Sequence, residues 1–175
     1  MECVIMAEKK ELPQRGGECN GYQACPRRTS DAETIWRMQV KAFTPLLERY
    51  QDFDTNPANE PLERVERRVT QPETFFYIIM ADDEPVGAIR VVDPKDGAAA
   101  KRISPLFVLP EYQGKGVAQA AMMEAERIHG GENWMFQTIL QEAGNCHLYE
   151  KMGYRQTGEQ RVVNERMTLV TYEKE

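Results

Sequence analysis

The chain has 175 residues, 41% of them hydrophobic and 29% charged, with a formal net charge of −6. That length suits one domain with a substantial core, and the acidic balance argues against a nucleic-acid partner held through its phosphates. No apolar stretch approaches the ~20 residues that a membrane-spanning helix needs.

Met1-Glu2-Cys3-Val4-Ile5 lacks the basic-then-apolar pattern of a secretory leader, so a cytoplasmic protein is expected. Residues 1–28 read as an N-terminal extension broken by Gly16-Gly17 and Gly21, with an extra short strand expected at Cys3 to Met6. The four cysteines (Cys3, Cys19, Cys25 and Cys146) form no C-x-x-C pair, and His129 and His147 lie far from the first three. No metal site is expected, and reduced thiols are the plainer reading.

Thr29-Ser30-Asp31-Ala32-Glu33 predicts a helix start, with Ser30 as N-cap and Glu33 closing a capping box. Ile35, Met38 and Ala42 line one helix face, and Pro45 sits where that helix should stop or bend. A second helix is predicted from Pro61 to Thr70. Phe75 to Met80 and Val86 to Val92 flank a turn and predict a β-hairpin. Lys101 to Leu109 is the next strand, followed by a helix from Val117 that ends at Gly130-Gly131. Trp134 to Leu140 predicts a strand, Asn145 to Met152 a short helix closed by Gly153. Tyr154 to Arg161 and Arg166 to Tyr172 are the last strands. Strands in series, then a strand–helix–strand crossover, then a helix and hairpin predict an α/β sheet of mixed direction.

The turn between the Lys101–Leu109 strand and the following helix reads Gln113-Gly114-Lys115-Gly116-Val117-Ala118. A glycine-rich turn opening a helix makes an anion cradle, because the first helical N–H groups have no intrahelical partner and the dipole favours negative charge. Gly114 and Gly116 remove Cβ atoms that would hold a phosphate away, and Lys115 adds a mobile positive charge. The spacing fits neither the Walker A loop nor the Rossmann fingerprint. It does satisfy [Q/R]-x-x-G-x-[G/A], with Gln113, Gly116 and Ala118.

That loop resembles the pyrophosphate loop of the GCN5-related N-acetyltransferase (GNAT) superfamily. A second block, Asn145-Cys146-His147-Leu148-Tyr149-Glu150-Lys151-Met152-Gly153-Tyr154, is similar to the family's N-x-x-x-x-Y-x-x-x-G-[FY]. The likeness runs in order from Arg27 to Tyr172. It implies a single GNAT-like α/β (α+β) domain over residues 29–175, with a mostly antiparallel twisted sheet of about six to seven strands and about four helices. It further implies acetyl-coenzyme A as acetyl donor, an amine acceptor, and a family in which homodimers are common.

By the same resemblance, the amides of Gln113, Gly114, Lys115, Gly116, Val117 and Ala118 hold the pyrophosphate. The backbone of Phe107 and Val108 pairs with the pantetheine arm beside a bulge expected at Leu106-Phe107. Tyr149 is the candidate general acid for the departing sulfur, and Asn145, one turn earlier, faces the cofactor from the same side. A reference tyrosine pKa of ~10 against a thiol's ~8.5 leaves full proton transfer uphill by about 2 kcal/mol. The base is harder to find: Ile103, Ser104 and Pro105 stand where many members place a strand glutamate. Glu142, or water, is the substitute. Cys146 and His147 are adjacent on a helix, point about 100° apart, and cannot readily pair as nucleophile and base. Glu48, Asp52 and Asp54 would suit a cationic amine, and Arg64, Arg67 and Arg68 blunt that inference. A coenzyme A-binding sensor and a nucleotide phosphate binder are the competing readings.

Overall fold

The computed structural model describes residues 29–82 and 84–175; the strand expected at Cys3 to Met6 and the three N-terminal cysteines lie outside them. Six strands form one sheet: β1 (Thr74–Ala81), β2 (Glu84–Val92), β3 (Lys101–Val108), β4 (Trp134–Ile139), β5 (Arg155–Asn164) and β6 (Met167–Lys174). Their spatial order is β1-β2-β3-β4-β6-β5. Only β3 and β4 run parallel, joined by the crossover helix α3 (Val117–His129), so the mixed, mostly antiparallel α/β sheet expected from the sequence is what forms. The remaining helices are α1 (Thr29–Tyr50), α2 (Leu62–Thr70) and α4 (Ala143–Lys151).

The sheet divides the core in two. On one face α3 and α4 cover Tyr77, Ile79, Val91, Trp134, Phe136 and Tyr172. On the other, Ile35, Met38 and Ala42 of α1 and Val65 of α2 pack on Phe76, Ala88 and Phe107. Residues of β1, β2 and β3 feed both clusters, as pleated strands buried on both sides require.

Three local expectations are corrected. α1 is already helical at Thr29, before the N-cap expected at Ser30, and Glu33 bonds Arg37 one turn on (2.6 Å). The helix also runs through Pro45 to Tyr50. Pro45 and Lys41, whose carbonyl loses its i+4 partner there, are both exposed, so water can take the lost bond. Tyr50 is buried beyond the proline and draws the last turn onto the body of the protein. The third correction is the bulge. Ile89 pairs with Leu106 and Val91 with Ile103, so Arg90 alone faces Ser104-Pro105, earlier than the Leu106-Phe107 position expected. Pro105 has no N–H for the ladder, and Arg90 donates to the Ser104 carbonyl at 2.9 Å, fixing the kink from the neighbouring strand.

Candidate active site

β3 and β4 start as neighbours and then part. Lys101 pairs with Trp134 and Arg102 with Met135, and no later residues of the two strands pair. Beyond Arg102, the only strand that β3 pairs with is β2. Leu109 donates back to Val86 of β2 (2.8 Å), and the Phe107 carbonyl lies so close to Gly87 that any Cβ there would collide with it. By alternation Val108 presents its polar groups to the opposite, open edge. Its carbonyl is reached there by the Gln113 side chain at 2.9 Å. Phe107 and Val108 therefore occupy unlike positions: the first faces β2, the second the gap.

The loop closes this gap at one end. Tyr112 bonds back to Leu109 (2.9 Å) and the Gln113 amide to Pro110 (3.3 Å), a short 3-10 turn that pulls the chain tight after β3. Gly114 (φ 70) and Gly116 (φ 80) both adopt left-handed conformations, and open space surrounds the place each Cβ would occupy. The first amide of α3 to find an acceptor is that of Ala120, which bonds Gly116 at 3.0 Å. From Gly114 to Gln119 the N–H groups have no acceptor among the described residues, and the N-cap offers no side chain. Gln113 is thus set apart from the rest of the predicted loop: its amide and its side chain are both spent within the protein. Lys115 rests its ammonium 5.2 Å from the Tyr112 ring centroid, beside the free amides.

Tyr149 lies across the gap on α4. Its ring packs on Phe136 of β4 (centroids 4.5 Å) and Tyr172 of β6 (5.7 Å). Burial pushes the phenol pKa up to about 12, against the hydrogen bond of Thr138, while Cys146 adds to the rise. The hydroxyl stays protonated at neutral pH. Thr138 was not singled out from the sequence; its alternation with Phe136 on β4 was the available signal. Asn145 is exposed on the same helix, and its backbone N–H donates to the backbone carbonyl of Glu142 at 2.9 Å. Cys146 is buried with its sulfur toward the carbonyls of Ile139 (3.9 Å) and Leu140 (3.8 Å), whereas His147 is exposed, so the two do not meet.

Glu142 follows β4 and precedes α4. Its Oε1 accepts from the Tyr50 hydroxyl (2.6 Å) and from Arg49 (2.7 Å), tying the end of α1 to the mouth of the gap. Oε2 has no partner among the described residues. The carboxylates named for a cationic amine are scattered: Asp52 is buried and holds Thr55 (2.5 Å and 3.0 Å), while Glu48 and Asp54 are exposed. No group of His, Cys, Asp and Glu among the described residues could hold a metal ion.

The geometry at this end of the sheet is a parallel pair splayed over a glycine loop with free amides. Residues 37–175 match the family model described as an acetyltransferase (GNAT) domain. The chain belongs to the GNAT acetyltransferase family. Among solved structures, it is similar to a spermidine N-acetyltransferase from Vibrio cholerae in complex with CoA and spermine. The TM-score is 0.65 and the identity 15%, over 83% of this chain and 90% of that one. It is also similar to the ribosomal-protein-S18-alanine N-acetyltransferase from Escherichia coli (TM-score 0.63, 11% identity, 83% and 88% covered). A third is the PaiA N-acetyltransferase from Thermoplasma acidophilum in complex with coenzyme A (TM-score 0.58, 17% identity, 84% and 94% covered). At these identities the likeness is one of fold. No curated protein sequence matches the chain. Among the described residues of this GNAT domain, no helix is long and apolar enough to cross a membrane.

Proposed function

We propose that the protein is a cytoplasmic N-acetyltransferase that moves the acetyl group of acetyl-coenzyme A to a primary amine by direct attack within a ternary complex. The observation that carries this reading is the run of unpartnered amides from Gly114 to Gln119 at the mouth of the β3–β4 gap. Gly114 to Gly116 are exposed and Val117 to Gln119 half-buried, so these N–H groups are open to a ligand, and a diphosphate accepts several at once at the positive end of α3. Val108, on the open edge, is then placed to pair with the arm, and Asn145 to approach it from α4.

Tyr149 serves as hydrogen-bond donor to the leaving sulfur. With a phenol near 12 against a thiol's ~8.5, complete transfer would be uphill by about 5 kcal/mol. A donated bond to developing negative charge needs no such transfer. Deprotonating the amine is the larger demand, since an alkyl ammonium at pKa ~10.4 costs about 4.6 kcal/mol at pH 7. Oε2 of Glu142, or a water relayed from it, meets that demand, because Oε1 is already committed to Tyr50 and Arg49.

A screen of amines read by free-thiol release tests the proposal, with Tyr149→Phe in parallel. Release that depends on both the amine and Tyr149 supports it. Coenzyme A binding without release from any amine supports instead a sensor that kept the fold. That alternative draws on the absence of a carboxylate at Ile103, Ser104 and Pro105 and on the engaged Glu142. Failure of coenzyme A to bind at millimolar concentration removes both readings.

A further inference from the structure

On the face of the sheet that α1 and α2 cover, one positive charge has no counter-ion. Arg90 of β2 lies directly across from Phe76, which packs under these helices, so its side chain leaves the sheet on their side. The guanidinium is partly buried. One terminal nitrogen donates to the Ser104 carbonyl (2.9 Å), the other to Oε1 of Gln71 (3.1 Å), and the buried Nε finds no acceptor. Both acceptors are neutral.

The surroundings make the imbalance worse. Burial, then the positive charges of Arg68 and Arg102, push Arg90 down to about 10, and only Glu60 acts in the other direction. Yet Glu60 is already gripped by Arg68 through both oxygens (2.7 Å and 2.5 Å) and stands 3.7 Å from Arg64. Arg102 is exposed and makes no ion pair among the described residues. Arg64, Arg68 and Arg90 thus depend on one carboxylate, and Arg102 adds a further positive charge. A desolvated cation without a partner is unfavourable, and an arginine fork is well shaped for a carboxylate or phosphate.

The position of this charge matters as much as its size. Arg102 is the last residue of β3 paired with β4, and Arg90 opposes the bulge where β3 turns away. Thr138, whose side chain acts on the Tyr149 phenol, lies three residues beyond Met135 on β4 and so faces the other side of the sheet. At the rise of an extended strand that is about 10 Å along the sheet. Arg90 and Arg102 leave the sheet on the α1–α2 side, and Tyr149 packs on the α3–α4 side. An acceptor that reaches through the open β3–β4 gap, with its amine near Tyr149 and a second group several bonds away, could span that distance.

We propose that Arg90 and Arg102 form an anion subsite for the acceptor, so that the substrate is an amine that also carries a carboxylate or phosphate. The subsite rests on the acetyl-transfer reading for its role, though not for its existence. Polycationic amines are then disfavoured.

The test compares kcat/KM for matched acceptors on the parent and on Arg102→Gln, a position exposed and unpaired enough that the substitution leaves the fold intact. One arm uses ω-amino acids of increasing length, each against its carboxamide; the other uses O-phosphoethanolamine against ethanolamine. The parent is expected to favour the acidic member at least tenfold in one arm, which identifies the anion, and Arg102→Gln to bring that ratio close to one. Equal rates for acid and amide in the parent, a preference for spermidine over every acidic acceptor, or an undiminished ratio in Arg102→Gln overturns the subsite while leaving acetyl transfer standing. A second measurement needs no turnover: calorimetric titration of sodium sulfate into coenzyme A-treated protein. Sulfate binding lost in both Arg102→Gln and Arg90→Lys supports the subsite even if no amine is acetylated. Sulfate binding unchanged by both substitutions, or absent from the parent, overturns it.

Discussion

The two ends of α3 are built for opposite purposes. At the N-terminal end, glycines in left-handed conformations lead into a helix whose first amides have no acceptors among the described residues. At the C-terminal end, His129 is buried with its Nδ1 2.7 Å from Asp93 and its Nε2 2.7 Å from the Tyr77 hydroxyl. Asp93 also holds Lys95 at 2.5 Å, and Phe75 and Trp134 close on the imidazole edge to face. One end leaves its hydrogen-bonding capacity open, and the other spends it internally. A site that binds an anion from solvent must keep unsatisfied donors, and the rest of the helix must then be held firmly enough to keep them in place.

Breaking the closed end should have the largest effect. His129→Ala removes a ring packed in the core and separates Asp93 from Tyr77, and is expected to lower stability by about 3 kcal/mol. A urea midpoint equal to that of the parent would contradict the structural role. Next comes the chemistry across the gap. Tyr149→Phe is expected to reduce kcat about 100-fold while the affinity for coenzyme A, measured by calorimetry, stays within a factor of two or so. A loss of affinity with kcat unchanged would make the tyrosine a packing residue.

The open end should respond in the reverse sense to His129. Gly116→Ala meets no neighbouring atom, yet its φ of 80 is unfavourable for any residue with a Cβ. The strain costs about 1–2 kcal/mol, and the new methyl group intrudes on the cradle. Coenzyme A affinity should fall about tenfold or more, a loss of about 1.4 kcal/mol in binding on top of the strain in folding. Lys115→Gln, at the rim, should weaken binding only a few-fold and flatten its salt dependence, since the ammonium is solvent-exposed. Salt dependence identical to that of the parent would remove Lys115 from the cradle.

The mildest probe is pH. Burial by itself would raise the Asp93 carboxyl, but the side chains of Lys95 and His129 and the Lys95 amide together hold it below the usual range. A depressed folded value means that this group adds stability above the unfolded pKa of ~3.9 and loses it as the pH falls through the folded one. Denaturation midpoints taken from pH 7 down to pH 3 should drop less steeply for Asp93→Asn than for the parent. Parallel curves would show that Asp93 contributes nothing to the acid limit.

Much of the open end was legible before any fold was known. The strand, the glycine turn, the helix and the later tyrosine helix are each specified by residues close together in sequence, so local periodicity and turn chemistry suffice to find them. The features that escaped reading join distant parts of the chain. The bulge falls at Ser104-Pro105 because Arg90 of another strand holds that carbonyl. Glu142 is engaged because Tyr50 and Arg49, 92 and 93 residues earlier, are brought to it by a helix that does not stop at Pro45. The shared burden on Glu60, and with it the uncompensated charge of Arg90, depends on how α2 lies over β2.

By itself the sequence determined the order of elements, the family and the location of the glycine turn that opens α3, because backbone conformation at glycines and helix starts is a local property. Which carboxylates are free, which amides lack acceptors and which cations lack partners were decided only by the tertiary structure. Charge compensation acts through space over a few ångströms, and a linear pattern does not say which side chains will share that space.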